Sequence, residues 1–212
     1  MPTRSVAWAK EPAGCEFAEI TLERDRLNAH GVAIAASPLA YRLDYVLETG
    51  PGFLTTLLDV SARGEGWSRR LVLRRTSGDA GAGAGSWSID TEIDDNDDHG
   101  VNGDGTSGLR LPPPGGDPTL LTGALDCDLG LSPVTNLMPI LRHGLQSAAG
   151  QVELTMAWVS VPDLRVQPDG QRYTNVGEKL IRYDALDGSF SATITVDDDG
   201  LVTDYPGIAR RL

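Results

Sequence analysis

Asp126 and Asp128 flank Cys127, and a spacing of two on an extended strand points both carboxylates to one face. Paired acids of this kind can share a proton, hydrogen-bond sugar hydroxyls or anchor arginines. The plainer alternative is a wet strand face followed by a turn. The three histidines, His30, His99 and His143, lie at no zinc-motif spacing, and neither HExxH nor CxxC occurs. Asp94-Asp95-Asn96-Asp97-Asp98 invites a calcium reading. An EF-hand loop opened at Asp94 would, however, put His99 where glycine is needed and Gly105 where glutamate is needed. A solvated acidic loop is the better description. Gly130-Leu131-Ser132-Pro133-Val134 lacks the final glycine of a nucleophile elbow. A Ser132–His143–Asp128 triad therefore rests on sequence proximity alone. A hydrolase using Asp126 and Asp128 with His143 stays open as an alternative. None of these patterns calls for a cofactor or a metal.

The elements that must position these residues are strands. Apolar residues recur at every second position in Ala18-Ile20-Leu22, Tyr41-Leu43-Tyr45-Leu47, Trp67-Leu71-Leu73, Trp87-Ile89-Ile93, Val152-Leu154-Met156-Trp158 and Phe190-Ala192-Ile194-Val196. Period two means one wet face and one buried face; a helix needs spacings of three and four. On this pattern Trp158 is expected inside and Glu153 outside. Turn signals separate the runs: Gly50-Pro51-Gly52, Gly64-Glu65-Gly66, Pro168-Asp169-Gly170, Leu186-Asp187-Gly188 and Asp198-Asp199-Gly200. Ten or more strands exceed what a flat open sheet carries, so the sheet should curl or close. Only Thr135 to Leu145 reads as a helix, with Pro139 in its first turn and Gly144 at its end. The fold class is all-β: a many-stranded antiparallel sheet rolled into a barrel-like spiral, with at most one short helix near 135–145.

The chain has 212 residues and a net charge of -12, consistent with one domain over 1–212. The stretch from Asp90 to Asp128 holds ten acids against the single base Arg110. A surface of this sign repels phosphate backbones, so no nucleic-acid partner is expected. There are two cysteines, no apolar run of about 20 residues and no leader-like opening, so the reading is cytoplasmic with no transmembrane segment. Gly78–Gly85 and Asp94–Thr119 are too polar or too small to build a core and are expected as surface loops, the second an insertion at about 94–119.

The run Asp126-Cys127-Asp128-Leu129-Gly130-Leu131-Ser132-Pro133-Val134-Thr135-Asn136 is followed by Pro139-Ile140, Arg142 and Leu145. Farther on come Ala157-Trp158, Pro162-Asp163-Leu164, Gln171-Arg172-Tyr173 and Gly200-Leu201-Val202-Thr203-Asp204-Tyr205-Pro206-Gly207. Together and in this order they resemble the signature of the putative glycolipid-binding family of bacteria. Cys127, Leu131 and Leu141 depart from its pattern. The resemblance implies an all-β spiral roll and a glycolipid or other amphiphilic small molecule as ligand. An acyl chain would then lie in the roll, with Asp126, Asp128, Asn136, Arg142 and Tyr173 at its mouth as ligand-binding residues. Carboxylates and amides suit sugar hydroxyls, and Arg142 suits an anionic group. A roll with a cavity of several hundred cubic ångströms would support binding; a close-packed interior would remove most of the case for it. A scaffold protein without a small ligand is the third reading.

Overall fold

A computed structural model describes residues 3–78, 81–95 and 111–212. Fourteen strands form a single sheet in the order β7-β6-β5-β4-β3-β2-β1-β14-β13-β12-β11-β10-β9-β8. The first half is a meander: β1 (Thr3–Lys10), β2 (Gly14–Leu22), β3 (Leu27–Ala35), β4 (Tyr41–Thr49), β5 (Thr55–Gly64), β6 (Trp67–Gly78) and β7 (Gly81–Asp95). The second half is β8 (Asp126–Leu129), β9 (Gln151–Val159), β10 (Val166–Gly177), β11 (Leu180–Ala185), β12 (Ser191–Val196), β13 (Val202–Tyr205) and β14 (Ala209–Arg211). A 3₁₀ turn at Pro133–Asn136 runs into the short helix α1 (Leu137–Arg142). Among the described residues this is the one α-helix, as expected, and Gly144 leaves it at φ 63°. The coil begins earlier than the expected Thr135: the 3₁₀ turn starts at Pro133, and Ser132 caps it by accepting from the Val134 amide.

The two meanders join where β1 meets β14, with Trp8 opposite Arg211 and Lys10 opposite Ala209. The buried Trp8 indole donates to the Val202 carbonyl at 2.9 Å across this seam. All described strand pairs are antiparallel except β8–β9, which is parallel. Hydrogen-bonded ladders do not close the sheet, but its two ends curl together. The Arg75 Nε of β6 and the Trp87 indole of β7 both donate to the Ala124 carbonyl, two residues before β8. Thr55 of β5 accepts from the Cys127 amide of β8 at 3.0 Å.

The roll is filled, not hollow. Leu27, Leu47, Leu58, Leu71 and Leu73 from the first half pack against Leu129, Val134, Leu137 and Met138, all fully buried. The segment from Ser132 to Ile140 is buried throughout and occupies the inside of the roll. A second cluster, around Ile140, Tyr173, Tyr183, Ile194 and Tyr205, lines the inner face of β10–β13.

Two expectations shift. Gly81–Asp95 is strand β7, paired with β6 from Gly78↔Gly81 onward, so much of the glycine-alanine tract belongs to a hairpin. Glycine's lack of a side chain permits this where strands come close: a Cβ at Gly85 would sit 2.5 Å from the Thr76 carbonyl oxygen. Of the 94–119 tract, residues 96–110 lie outside the described residues. Residues 111–119 are pinned, because Arg69 donates to the Leu111 and Pro112 carbonyls and Gly115 bridges to Arg165. No described helix is long and apolar enough to cross a membrane.

Candidate functional site

The sequence pair Asp126 and Asp128 is split between two jobs. Asp126 is fully buried and accepts from the Arg142 guanidinium, which also donates to the Gly52 carbonyl at 2.8 Å and the Phe53 carbonyl at 3.1 Å. Burial raises the Asp126 carboxyl above its ordinary range, and Arg142 opposes that shift. The ion pair ties β8 to α1 and to the turn before β5. Asp128, one pleat on, turns to a different set of partners. Thr135 Oγ1 donates to its Oδ1 at 2.7 Å, and Gln171 Nε2 donates to its Oδ2 at 2.7 Å. Burial raises this carboxyl too, against those two donors.

Gln171 is the organising residue that sequence reasoning missed. It is fully buried, and the same nitrogen also donates to Asp169 Oδ2 at 2.8 Å, so one amide holds two carboxylates side by side. Its orientation is fixed from behind. The buried Tyr173 hydroxyl lies 3.0 Å from both Gln171 Oε1 and Asn136 Oδ1, and its single hydrogen is shared between these two acceptors. Asn136 in turn donates to the Ser132 and Pro133 carbonyls at 3.4 Å. Burial lifts the Tyr173 hydroxyl well above its usual range, so it acts as a neutral donor.

In front of this layer lies a pocket of about 440 Å³, within the range of small-molecule sites. Its lining combines the polar side chains of Asp128, Asn136, Asp169 and Asp187, the Gly130-Leu131-Ser132 turn, and the rings of Trp158, Tyr183, Phe190 and Tyr205. Tyr183, Phe190 and Tyr205 form a triangle of rings with centroids 6.0 to 6.2 Å apart. Strand register assembles it: Tyr183 pairs with Ala192, and Tyr205 pairs with Ala209. Leu131 sits at φ 64° and is 43% exposed, so the turn presents an apolar side chain outward at some backbone cost.

Of the expected mouth residues, the pocket therefore gathers Asp128 and Asn136. Tyr173 stands one layer behind, and Asp126 and Arg142 lie outside its lining. His143 caps the exposed end of α1 and is not among the lining residues, so Asp126, Asp128 and His143 do not converge. Trp158 is not the buried residue that alternation implied. Met156, Ala157 and Val159 are all buried, because β8 and β10 flank β9 closely, and Trp158 is left half-buried as pocket wall. Glu153 is exposed, as expected, and pairs with Arg172. Pro168-Asp169-Gly170 is no turn: it lies inside β10, where Asp169 pairs with Met156.

The location of Trp158 has a direct optical consequence. Trp8 and Trp87 are buried, whereas Trp67 and Trp158 are half-buried and Trp158 borders the pocket. Acrylamide is expected to quench a distinct fraction of the emission from these two, and in a Trp67→Phe background Trp158→Phe should remove most of that fraction. An unchanged quenching profile would place the ring in the core.

The whole described fold can be set beside known proteins. A family model described as putative glycolipid-binding matches residues 5–211. The chain belongs to that family. The solved structure of a DUF1089 family protein from Pseudomonas aeruginosa is similar to this member at 29% identity, with a TM-score of 0.65 over 93% of this chain and 92% of that one. No curated protein matches the chain. In this member of the putative glycolipid-binding family, the residues matched by the family model include the β8-to-α1 segment, which contributes Asp128, Ser132 and Asn136 to the pocket lining.

Proposed function

We propose that this protein binds the carbohydrate headgroup of an amphiphile in the pocket between Asp128 and the Tyr183–Phe190–Tyr205 triangle. The observation that carries this reading is one pocket lined both by aromatic rings and by fixed hydrogen-bonding groups. Sugar rings have apolar C–H faces that lie against aromatic rings and hydroxyls that need acceptors. Asp128 and Asn136 make the polar contacts. Tyr173 and Gln171 hold those groups in place, and the Asp126–Arg142 pair holds the strand that bears Asp128. Because the roll is filled, a lipid tail would leave the pocket past the half-exposed Leu131 and not enter the core.

Native mass spectrometry of the protein purified from its own host tests this directly. A co-purifying glycolipid is expected, and Asp128→Asn should abolish its retention while shifting the melting temperature by no more than a few degrees. Retention by Asp128→Asn at the wild-type level, or a co-purifying molecule without a sugar, would overturn the reading.

A further inference from the structure

The pocket's charge is unbalanced. Many carboxylates elsewhere are matched to a base: Glu16 to Lys10, Asp59 to Arg70, Asp126 to Arg142, Glu153 to Arg172, Asp184 to Arg182 and Asp197 to Arg211. Asp128, Asp169 and Asp187 are the three acids of the pocket, and none of them takes part in an ion pair among the described residues. The pocket's described lining contains no lysine, arginine or histidine. What these carboxylates accept instead comes from neutral donors: Thr135, Gln171 and the Ser189 amide.

Two of the three are also forced together. Asp128 and Asp169 share the single Gln171 nitrogen at 2.7 and 2.8 Å; on top of burial, Asp169 raises the proton affinity of Asp128, and Asp187 raises that of Asp169. Like charges brought together in a partly dry site repel unless a cation arrives between them. The same pocket is lined by Trp158, Tyr183, Phe190 and Tyr205, and aromatic ring faces carry negative electrostatic potential and attract cations. The lining as a whole thus favours positive charge, and a phosphate, sulfate or uronate group would meet three carboxylates and no base.

Building on the carbohydrate reading above, we infer that the headgroup bound here carries a protonated amine, which the Asp128–Asp169–Asp187 carboxylates and the aromatic rings receive as the pocket's missing counter-ion. The ammonium has two chemical sources, an amino sugar or a small non-sugar amine headgroup, and the probes separate them.

The test is a titration of the full chain at neutral pH and low salt, followed by the Trp158 indole N–H resonance, with D-glucosamine, N-acetyl-D-glucosamine, D-glucuronate and ethanolamine. Glucosamine is expected to bind at least about tenfold more tightly than its N-acetyl derivative, which keeps the ring and loses the charge. Glucuronate should not bind. Asp169→Asn, an isosteric change that keeps an acceptor for Gln171, should shrink the glucosamine preference severalfold; Asp187→Asn on the exposed hairpin serves as a second variant. Raised salt should also narrow the preference. Equal binding of glucosamine and N-acetylglucosamine overturns the inference and leaves the carbohydrate reading standing. Binding of ethanolamine without any sugar upholds the charge inference and overturns the carbohydrate reading. Tighter binding of glucuronate, or a preference for glucosamine unchanged in both variants, overturns the inference, and no response to any probe overturns both.

Discussion

Arg142→Gln is expected to destabilise the protein by about 3–5 kcal/mol, the cost of stripping one partner from a buried ion pair. In a domain of this size that corresponds to a melting temperature lower by roughly 10 °C. The guanidinium makes three kinds of contact at once, to Asp126 on β8, to the Gly52 carbonyl and to the Phe53 carbonyl. Glutamine is too short to keep all of them. It leaves behind a carboxylate with no access to solvent, without its nearest counter-ion and stabilised only by the Thr55 backbone amide and the Arg75 charge. Adding Asp126→Asn should recover part of the loss, because the double variant no longer buries an uncompensated charge. Thermal melts of the two single variants and the double variant check this. A melt of Arg142→Gln within a degree of wild type would show the pair to be dispensable for the fold and would return Arg142 to the set of groups free to meet a ligand.

Glu16→Ala is expected to cost a similar amount, about 3–5 kcal/mol, for a related reason on the other half of the sheet. Glu16 points inward from β2 and is nearly inaccessible. Its carboxylate accepts from Lys10 Nζ at 2.8 Å, from the Tyr45 hydroxyl at 2.8 Å and from Ser132 Oγ at 2.6 Å. Tyr45 reaches it because the residue opposite on β3 is Gly31, where a Cβ would overlap the Tyr45 ring at 2.2 Å. The truncation leaves the Lys10 ammonium, whose side chain is only 8% exposed, without its counter-ion. Replacing both, as Lys10→Met with Glu16→Met, should be milder than Glu16→Ala alone, since an apolar pair of similar volume carries no buried charge. A double variant as damaged as the single one would show that the hydrogen bonds to Tyr45 and Ser132, not the unpaired lysine, dominate. Ser132 also lines the pocket, so this network connects the first meander to the binding wall.

The strands were legible because burial on one face leaves a period-two imprint, and that imprint held in β2, β4, β6 and β12. It failed at Trp158: in this part of β9 side chains of both parities, Met156 as well as Ala157 and Val159, are buried while Trp158 lines the pocket, so alternation stops reporting which side is wet. It also failed at Pro168-Asp169-Gly170, whose residue types favour turns in isolation but are held straight by ladder partners on both sides. Asp128 and Asn136 could be singled out from a local motif. Asp169, Gln171, Asp187 and the triangle of rings could not: Tyr183, Phe190 and Tyr205 come together only through strand register, and local spacing is blind to register. Glu16 was partly visible. It shares parity with Ala18 and Ile20, so a charge on the buried face could be read from β2 itself, but its partners Lys10, Tyr45 and Ser132 could not.

The seam between β1 and β14 sets the order in which the molecule can be completed. Both meanders consist of neighbours in sequence and can pair as they emerge from the ribosome. The ladder that makes them one sheet consists of Trp8, Ala9 and Lys10 against Ala209, Arg210 and Arg211. Until residue 211 is free to move, β1 has an unpaired edge and Trp8 lacks the strand that covers it. Joining positions some two hundred residues apart is a slow, entropically costly closure. An exposed β1 edge in the waiting half-sheet is also the surface on which a second nascent chain could pair. Synthesis of this protein thus passes through a stage in which the first meander is formed, unsealed and exposed to the wrong partner, and the last three strand residues end that stage.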